Sequence, residues 1–266
     1  MPDTAHDYVL GHGDAELDRL GRQASLVDPI SRAYFTAAGI APGMRVLDIG
    51  SGAGHTAFVA AELVGSTGEV VGTDRANRAV ESARAGAKAR GLTNVRFLEG
   101  DPATMTFAGP FDALIGRYIL VFQPDPASWL ATLIGHIKPG GIVVLHEPDL
   151  TLASSTPEVS SYDRCCRLML EAFGRPNMTA RLRPIFIAAG LPPPTMQMRV
   201  LYGGAPDIAP WLRVAGDMAA SVAPTMERLG IATAAEIDIL RRDIMAIGDS
   251  TIIGRSEIGA WTRTRA

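Results

Sequence analysis

The stretch that most restricts what this chain can fold into is residues 44–54, Met-Arg-Val-Leu-Asp-Ile-Gly-Ser-Gly-Ala-Gly. Val46, Leu47 and Ile49 form a short apolar run, which reads as a buried strand. Gly50, Ser51, Gly52, Ala53 and Gly54 follow as a tight glycine-rich turn, and His55 to Val64 reads as a helix. Strand, glycine turn and helix in that order hold a ligand against backbone N–H groups at a helix N-terminus. Glycine serves twice here: it reaches backbone angles that other residues avoid, and it has no side chain to keep a ligand away.

Two departures from the dinucleotide fingerprint narrow the ligand. The sixth position of G-x-G-x-x-G, counted from Gly50, is His55 rather than glycine. Asp48 lies two residues before Gly50, within reach of the turn. A fixed negative charge there repels a pyrophosphate but suits an ammonium group. S-adenosylmethionine (SAM) carries an ammonium and a sulfonium.

From this turn onward strand and helix alternate. Strands are expected at 69–74, 94–98, 111–116 and 142–145, and an alanine-rich helix at 77–90. Asp125-Pro126 starts a further helix in which Trp129, Leu130, Leu133, Ile134 and Ile137 repeat at helical spacing. Such alternation predicts a parallel sheet with helices on both faces, and a ligand at the carboxyl ends of its strands. Asp48, Asp74, Asp101, Arg117 and Glu147 all fall at or just past those ends. Asp74, closing the second strand, is placed to accept from two ribose hydroxyls; the plainer reading is a solvated loop acid. Arg75 beside it has the reach and planarity to cover an adenine face. His146 and Glu147 end the fifth strand, where either can take a proton from an acceptor or make a structural hydrogen bond. His55 and His136 fall in expected helices and are given packing or surface roles.

Before the turn, residues 14–24 read as a short helix. Asp28-Pro29 starts another, with Asp28 as N-cap and Pro29 at the first helical position, running to Gly39. Beyond residue 150 the alternation stops. Helices are expected from Thr156, over 179–189, over 207–229 with a break at Pro224, and after the capping box Thr233-Ala234-Ala235-Glu236. Strands are expected at 195–201 and 258–263. The organisation is therefore a helical lid over 1–40, a ligand-binding core over 41–150 and, over 151–266, completion of the sheet with a helical cap, all in a single domain. Tyr162, Met169, Phe173, Trp211, Met218 and Met226 either line an apolar acceptor surface or form plain helical core, the commoner outcome at this spacing.

The run Val46-Leu47-Asp48-Ile49-Gly50-Ser51-Gly52-Ala53-Gly54 resembles motif I of the class I SAM-dependent methyltransferases, and the later motifs arrive in the family's order. The resemblance is strong over about residues 40–150 and is nearest to the ubiquinone/menaquinone-biosynthesis type and its small-molecule relatives. It implies an α/β fold: a doubly wound, mostly parallel, seven-stranded Rossmann-like sheet with an antiparallel last strand and helical substrate-side insertions. It implies SAM as cofactor, held by Asp48, Gly50, Ser51 and Gly52 at the turn. Asp74 and Arg75 would lie at the ribose and adenine, and Asp101 with Pro102 at the adenine amino group and ring. Arg117 would lie beside the methionine part. In similar small-molecule enzymes the N-terminal region folds over the cofactor, which here would bring Tyr8, His12 and Gln23 to the site, with Tyr8 closing on the cofactor's carboxylate. The reaction implied is in-line transfer of a methyl group to an O, N, C or S atom of a small metabolite. His146 or Glu147 would act as base only where the acceptor must lose a proton.

Bulk properties bound the partners. The net charge is −3 and there is no long basic run, which argues against a nucleic-acid partner. Cys165 and Cys166 are adjacent and lack metal-ligand spacing, so reduced thiols, no metal and a cytoplasmic setting are expected. No apolar run is long enough to span a bilayer and no N-terminal signal pattern appears. A small-molecule acceptor is the expected partner, and a homodimer is compatible with the chain. Two rival readings stay open: a nicotinamide or flavin oxidoreductase, and a protein that binds SAM without transferring methyl groups.

Overall fold

The computed structural model describes residues 14–174 and 177–265. By its internal contacts the chain divides into two compact units. The larger comprises Ala24–Pro148, Met178–Arg199 and Glu257–Ala266; the smaller comprises Met1–Gln23, Asp149–Asn177 and Val200–Ser256. Elements in chain order are α1 (Asp14–Ala38), β1 (Arg45–Ile49), α2 (His55–Val64), β2 (Glu69–Asp74), α3 (Asn77–Ala89), β3 (Val95–Glu99), β4 (Phe111–Arg117), a 3-10 turn (Leu120–Phe122), α4 (Pro126–Ile134), β5 (Ile137–Asp149), β6 (Ser154–Thr156), α5 (Ser160–Ala172), α6 (Met178–Ala188), β7 (Thr195–Gly203), α7 (Ala209–Arg228), α8 (Ala234–Asp243) and β8 (Thr251–Arg263).

In the larger unit the strands lie in the order β3-β2-β1-β4-β5-β8, with β7 paired to β8. The first five are parallel, with Asp48 level with Gly72 on one side and Ile115 on the other. The order reverses between β1 and β4, which makes the glycine turn after β1 the switch point. β8 runs antiparallel: Thr264 N–H donates to the Gly141 carbonyl near the start of β5, while Glu257 reaches His146 near its end. Both faces are covered. On one, Val46, Ala113, Ile115 and Val144 pack with Tyr34, Phe35, Phe58, Val59 and Val80 from helices α1 to α3. On the other, Leu47, Ile49, Leu114, Val143 and Leu145 pack with Leu130, Leu133, Leu182, Ile185 and Phe186 from α4 and α6. The central strands are apolar on both faces because both faces are buried, the mark of a parallel sheet.

In the smaller unit α7 packs on α5 and α8. β6 pairs antiparallel with the first residues of β8, giving the sheet an eighth strand. Tyr162, Met169, Trp211, Met218 and Met226 are all buried here, and the Tyr162 hydroxyl donates to the Ile253 carbonyl at 2.9 Å. The core alternative for these residues therefore holds. Cys165 and Cys166 are free and buried, and burial pushes their thiols up, Cys165 to about 12. Among the described residues no helix is long and apolar enough to cross a membrane.

Several boundaries differ from expectation. The two helices expected before Gly39 are one, and Pro29 lies inside it. Asp28 is not a cap, because its carboxylate is taken by Arg117 at 2.7 Å. The helix runs through because Val27, Tyr34 and Phe35, on both sides of the proline, are fully buried. α7 likewise passes Pro224 unbroken, held by buried Val222, Ala223 and Met226. α4 stops at Ile134, so Ile137 starts β5 and His136 sits in the turn between them. β8 begins seven residues before Ile258. An eighth, three-residue strand such as β6 has no periodicity to read.

Candidate cofactor site at the switch point

The site is built at the carboxyl ends of β1, β2, β3, β4 and β5, within the larger unit. Gly50, Gly52 and Gly54 all have positive φ, at 64°, 52° and 89°. The turn is tied to β2 by the Ser51 N–H on the Thr73 carbonyl at 2.8 Å. At Gly50 a side chain would meet Ile119 Cδ1 at 2.4 Å. At Gly52 a Cβ would have nothing within 4 Å. So Gly50 is a glycine because the 119 loop packs on it, whereas Gly52 borders open space where a ligand can approach the backbone.

Below the turn Asp48 is fully buried, and neither carboxylate oxygen has a hydrogen-bond partner among the described residues. Burial, reinforced by the Asp74 charge and opposed by the Arg117 charge and by a weak pull from the Ala57 N–H that falls short of hydrogen-bond geometry, pushes its carboxyl well above the usual range. A buried carboxyl without partners is costly, and an ammonium ligand would relieve it. Ser51 Oγ and His55 Nδ1 are also buried without partners. Burial, with the nearby Arg117 charge, pushes the His55 ring down to about 4, so it is neutral. Sequence reasoning gave His55 only a packing or surface role; the signal for more was its place directly after the third glycine, at the start of α2.

Asp74 accepts from Gly52 N–H at 2.8 Å through one oxygen and from Ala76 N–H at 2.9 Å through the other. It braces the turn and the entry to α3. A carboxylate has about four acceptor positions, so lone pairs remain for ribose hydroxyls. Asp101 is held by Ala103 N–H at 3.0 Å, Trp129 Nε1 at 3.3 Å and Arg75 at 2.5 Å. Burial alone would raise its carboxyl, but these donors outweigh burial and hold it below the usual range. Arg75 is thus an ion-pair partner of Asp101, with a side chain 65% exposed. Pro102 is buried, and its carbonyl lies 2.9 Å from His136 Nε2.

At the tips of β4 and β5 the structure departs from the sequence reading. The Arg117 side chain is only 7% exposed and bonds Asp28 at 2.7 Å and Ser31 Oγ at 3.0 Å. Glu147 is fully buried; Oε1 accepts from Ile119 and Leu120 N–H at 3.0 and 2.9 Å, and Oε2 from Val121 N–H at 3.3 Å. Burial, against the pull of those N–H groups, pushes its carboxyl up to about 7. His146 is also fully buried, with Nδ1 2.9 Å from Ser31 Oγ and Nε2 2.8 Å from Glu257 Oε2. Of the two alternatives that the sequence left open for the end of β5, the hydrogen bonds seen here are structural ones, and both groups are enclosed. Ser31 and Glu257 were missed because a lone serine on a helix and an acid one residue before the expected last strand give no periodic signal. Gln23 belongs to the smaller unit, where it is buried and accepts from Arg19 at 2.9 Å. Tyr8 and His12 lie outside the described residues.

A doubly wound sheet whose strand order reverses at a glycine turn defines a Rossmann-like α/β protein. Within that class the chain belongs to the methyltransferase-domain family, whose profile matches residues 40–190, more than half of the chain. It is 39% identical over 132 residues to aklanonic acid methyltransferase DauC from Streptomyces sp. (strain C5), covering 49% of this chain and 59% of that protein. The chain spans less than two thirds of the length of the curated relatives it matches. Among solved structures it resembles the YcgJ protein of Bacillus subtilis, with a TM-score of 0.55, 22% identity, and 89% of this chain and 98% of that one covered. It also resembles the [4+2]-cyclase SpnF, with a TM-score of 0.57, 18% identity and coverage of 90% and 82%. At these identities the structural likenesses establish the fold alone.

Proposed function

We propose that this chain binds S-adenosylmethionine at the glycine turn and transfers its methyl group to an O, N or C atom of a small, apolar or aromatic metabolite. The observation that carries the reading is the fully buried Asp48 carboxyl, which has no hydrogen-bond partner among the described residues, beneath a turn that is open at Gly52. The residues present fit the cofactor. Asp48 would accept from its ammonium group, and Ser51 Oγ and His55 Nδ1 offer further polar contacts at the turn. Asp74 would hold the ribose while bracing Gly52, and Asp101 with Pro102 would meet the adenine. His55 at the sixth fingerprint position and the acid below the turn both disfavour a dinucleotide.

When bound, the sulfonium supplies an electrophilic methyl group. The protein's part is to align the acceptor in line with it and exclude water, since proximity and orientation can supply most of such an acceleration. With His146 and Glu147 enclosed, we infer that neither takes a proton from the acceptor. The membership in a methyltransferase family and the likeness to a protein named for a small-molecule acceptor, aklanonic acid, support the reaction class. The net charge of −3 favours a small molecule over a nucleic acid, and the two free cysteines favour the cytoplasm.

Calorimetric titration with SAM and with NAD(H), followed by incubation of candidate acceptors with labelled SAM, tests this. SAM binding with label transfer is expected. NAD(H) binding without SAM binding would overturn the cofactor, and SAM binding without transfer to any acceptor would overturn the reaction.

A further inference from the structure

Tyr118, the first residue past β4, has φ 57°, in the left-handed region that a bulky side chain seldom occupies. Such a conformation is costly and persists only when its surroundings fix it. Two contacts do so: its N–H donates to the His146 carbonyl at 2.9 Å and its hydroxyl donates to Glu257 Oε2 at 2.7 Å. The next residue, Ile119, packs where a Gly50 side chain would be, and Glu147 holds the N–H groups of 119 to 121. The loop that floors the glycine turn is therefore pinned by two fully buried acids, Glu147 from β5 and Glu257 from β8.

Glu257 Oε2 receives two donors, the Tyr118 hydroxyl and His146 Nε2 at 2.8 Å, which is the role of an ionised carboxylate. On the other side of the ring, Ser31 Oγ is 2.9 Å from Nδ1, accepts from Arg117 at 3.0 Å and donates to the Val27 carbonyl at 3.2 Å. One protonation state satisfies all of these contacts together: an imidazolium, donating from Nδ1 to Ser31 and from Nε2 to Glu257. Among the described residues, charged and titratable groups from several elements bear on it, including Asp48 from β1 and His55 from α2, which both feel Arg117. From α1 come Asp28, bound to Arg117, and Tyr34, edge-on to the ring at 5.2 Å with its hydroxyl on the Glu257 carbonyl. From β4 come Arg117 and Tyr118, from β5 Glu147, which repels Glu257, and from β7 Arg199, which acts on Tyr34.

We propose that Glu257 is a positioning residue of the cofactor site: paired with a protonated His146, it fixes Tyr118 and, through the 118–121 loop, the floor of the glycine turn. The proposal rests on the SAM reading for its ligand, but its electrostatic core is independent of it. In ¹⁵N-histidine NMR of the ligand-free protein at pH 7, with the signal assigned through His146→Gln, both ring nitrogens of His146 carry protons. In Glu257→Gln the ring becomes neutral. With SAM as the calorimetric probe, Glu257→Gln and Tyr118→Phe each weaken binding about tenfold, and the double variant is no weaker than the worse single one, as expected for groups acting as a unit. A neutral His146 in the wild type, or additive losses in the double variant, would overturn the proposal. Absence of SAM binding to the wild-type protein would instead overturn the cofactor reading and leave the NMR result to decide the pairing.

Discussion

Asp48 and Glu147 lie near the carboxyl ends of β1 and β5, on either side of β4 in one sheet, and both are fully buried. Glu147 spreads its two oxygens over three backbone N–H groups, while Asp48 has no hydrogen-bond partner among the described residues. The same burial thus does two different things. At Glu147 it closes a loop, and the acid is part of the structure. At Asp48 it leaves a carboxyl with no hydrogen-bond partner among the described residues, a cost eased by taking up a proton or by a donor that enters the site. An unsatisfied buried group is the better guide to a ligand, and acidity at a strand tip alone does not separate the two cases.

The contrast can be broken most forcefully at Glu147. Glu147→Ala strands three backbone N–H groups, that of Leu120 buried and those of Ile119 and Val121 half-buried, and is expected to cost on the order of 3 kcal/mol in urea unfolding. A loss under about 1 kcal/mol would mean the loop does not depend on this acid. At the other region, Gly52→Val places a branched side chain in the open space at φ 52°. SAM affinity should fall about a hundredfold or more, the scale of a blocked, misaligned site, as read by calorimetry. Retained affinity would move the ligand away from the turn.

A smaller effect is the pH dependence of stability. Glu147 binds its proton more tightly when folded, with its carboxyl raised from 4.5 to about 7. Its contribution is therefore complete below pH 4.5 and lost as pH rises through about 7. Unfolding free energy should decline over that window in the wild type and decline less in Glu147→Gln. Identical profiles would place the titration elsewhere.

Much of this was legible beforehand. The five parallel strands announced themselves as apolar runs bounded by Gly, Pro and Asp, and the glycine turn gave the switch point because its spacing is local. Asp74 and Asp101 could be placed at strand ends for the same reason. What could not be read were pairings between distant segments: Arg117 with Asp28, His146 with Ser31 and Glu257, and Glu147 with the loop over 119–121. The first two depend on α1 continuing through Pro29 or on the antiparallel return of β8, and the third on β4 and β5 lying side by side; none leaves a local trace. The Asp28-Pro29 pair even carried a misleading one, since it has the form of a helix start but lies within α1.

The central claim is that Asp48, without a hydrogen-bond partner among the described residues, receives a cationic ligand, and calorimetry of SAM against the wild type and Asp48→Asn tests it most directly. The wild type should bind SAM, and the near-isosteric amide should bind it about tenfold or more weakly, the scale of a lost charge-assisted hydrogen bond, while urea unfolding shows a fold at least as stable. Equal SAM affinity in the two proteins would contradict the account.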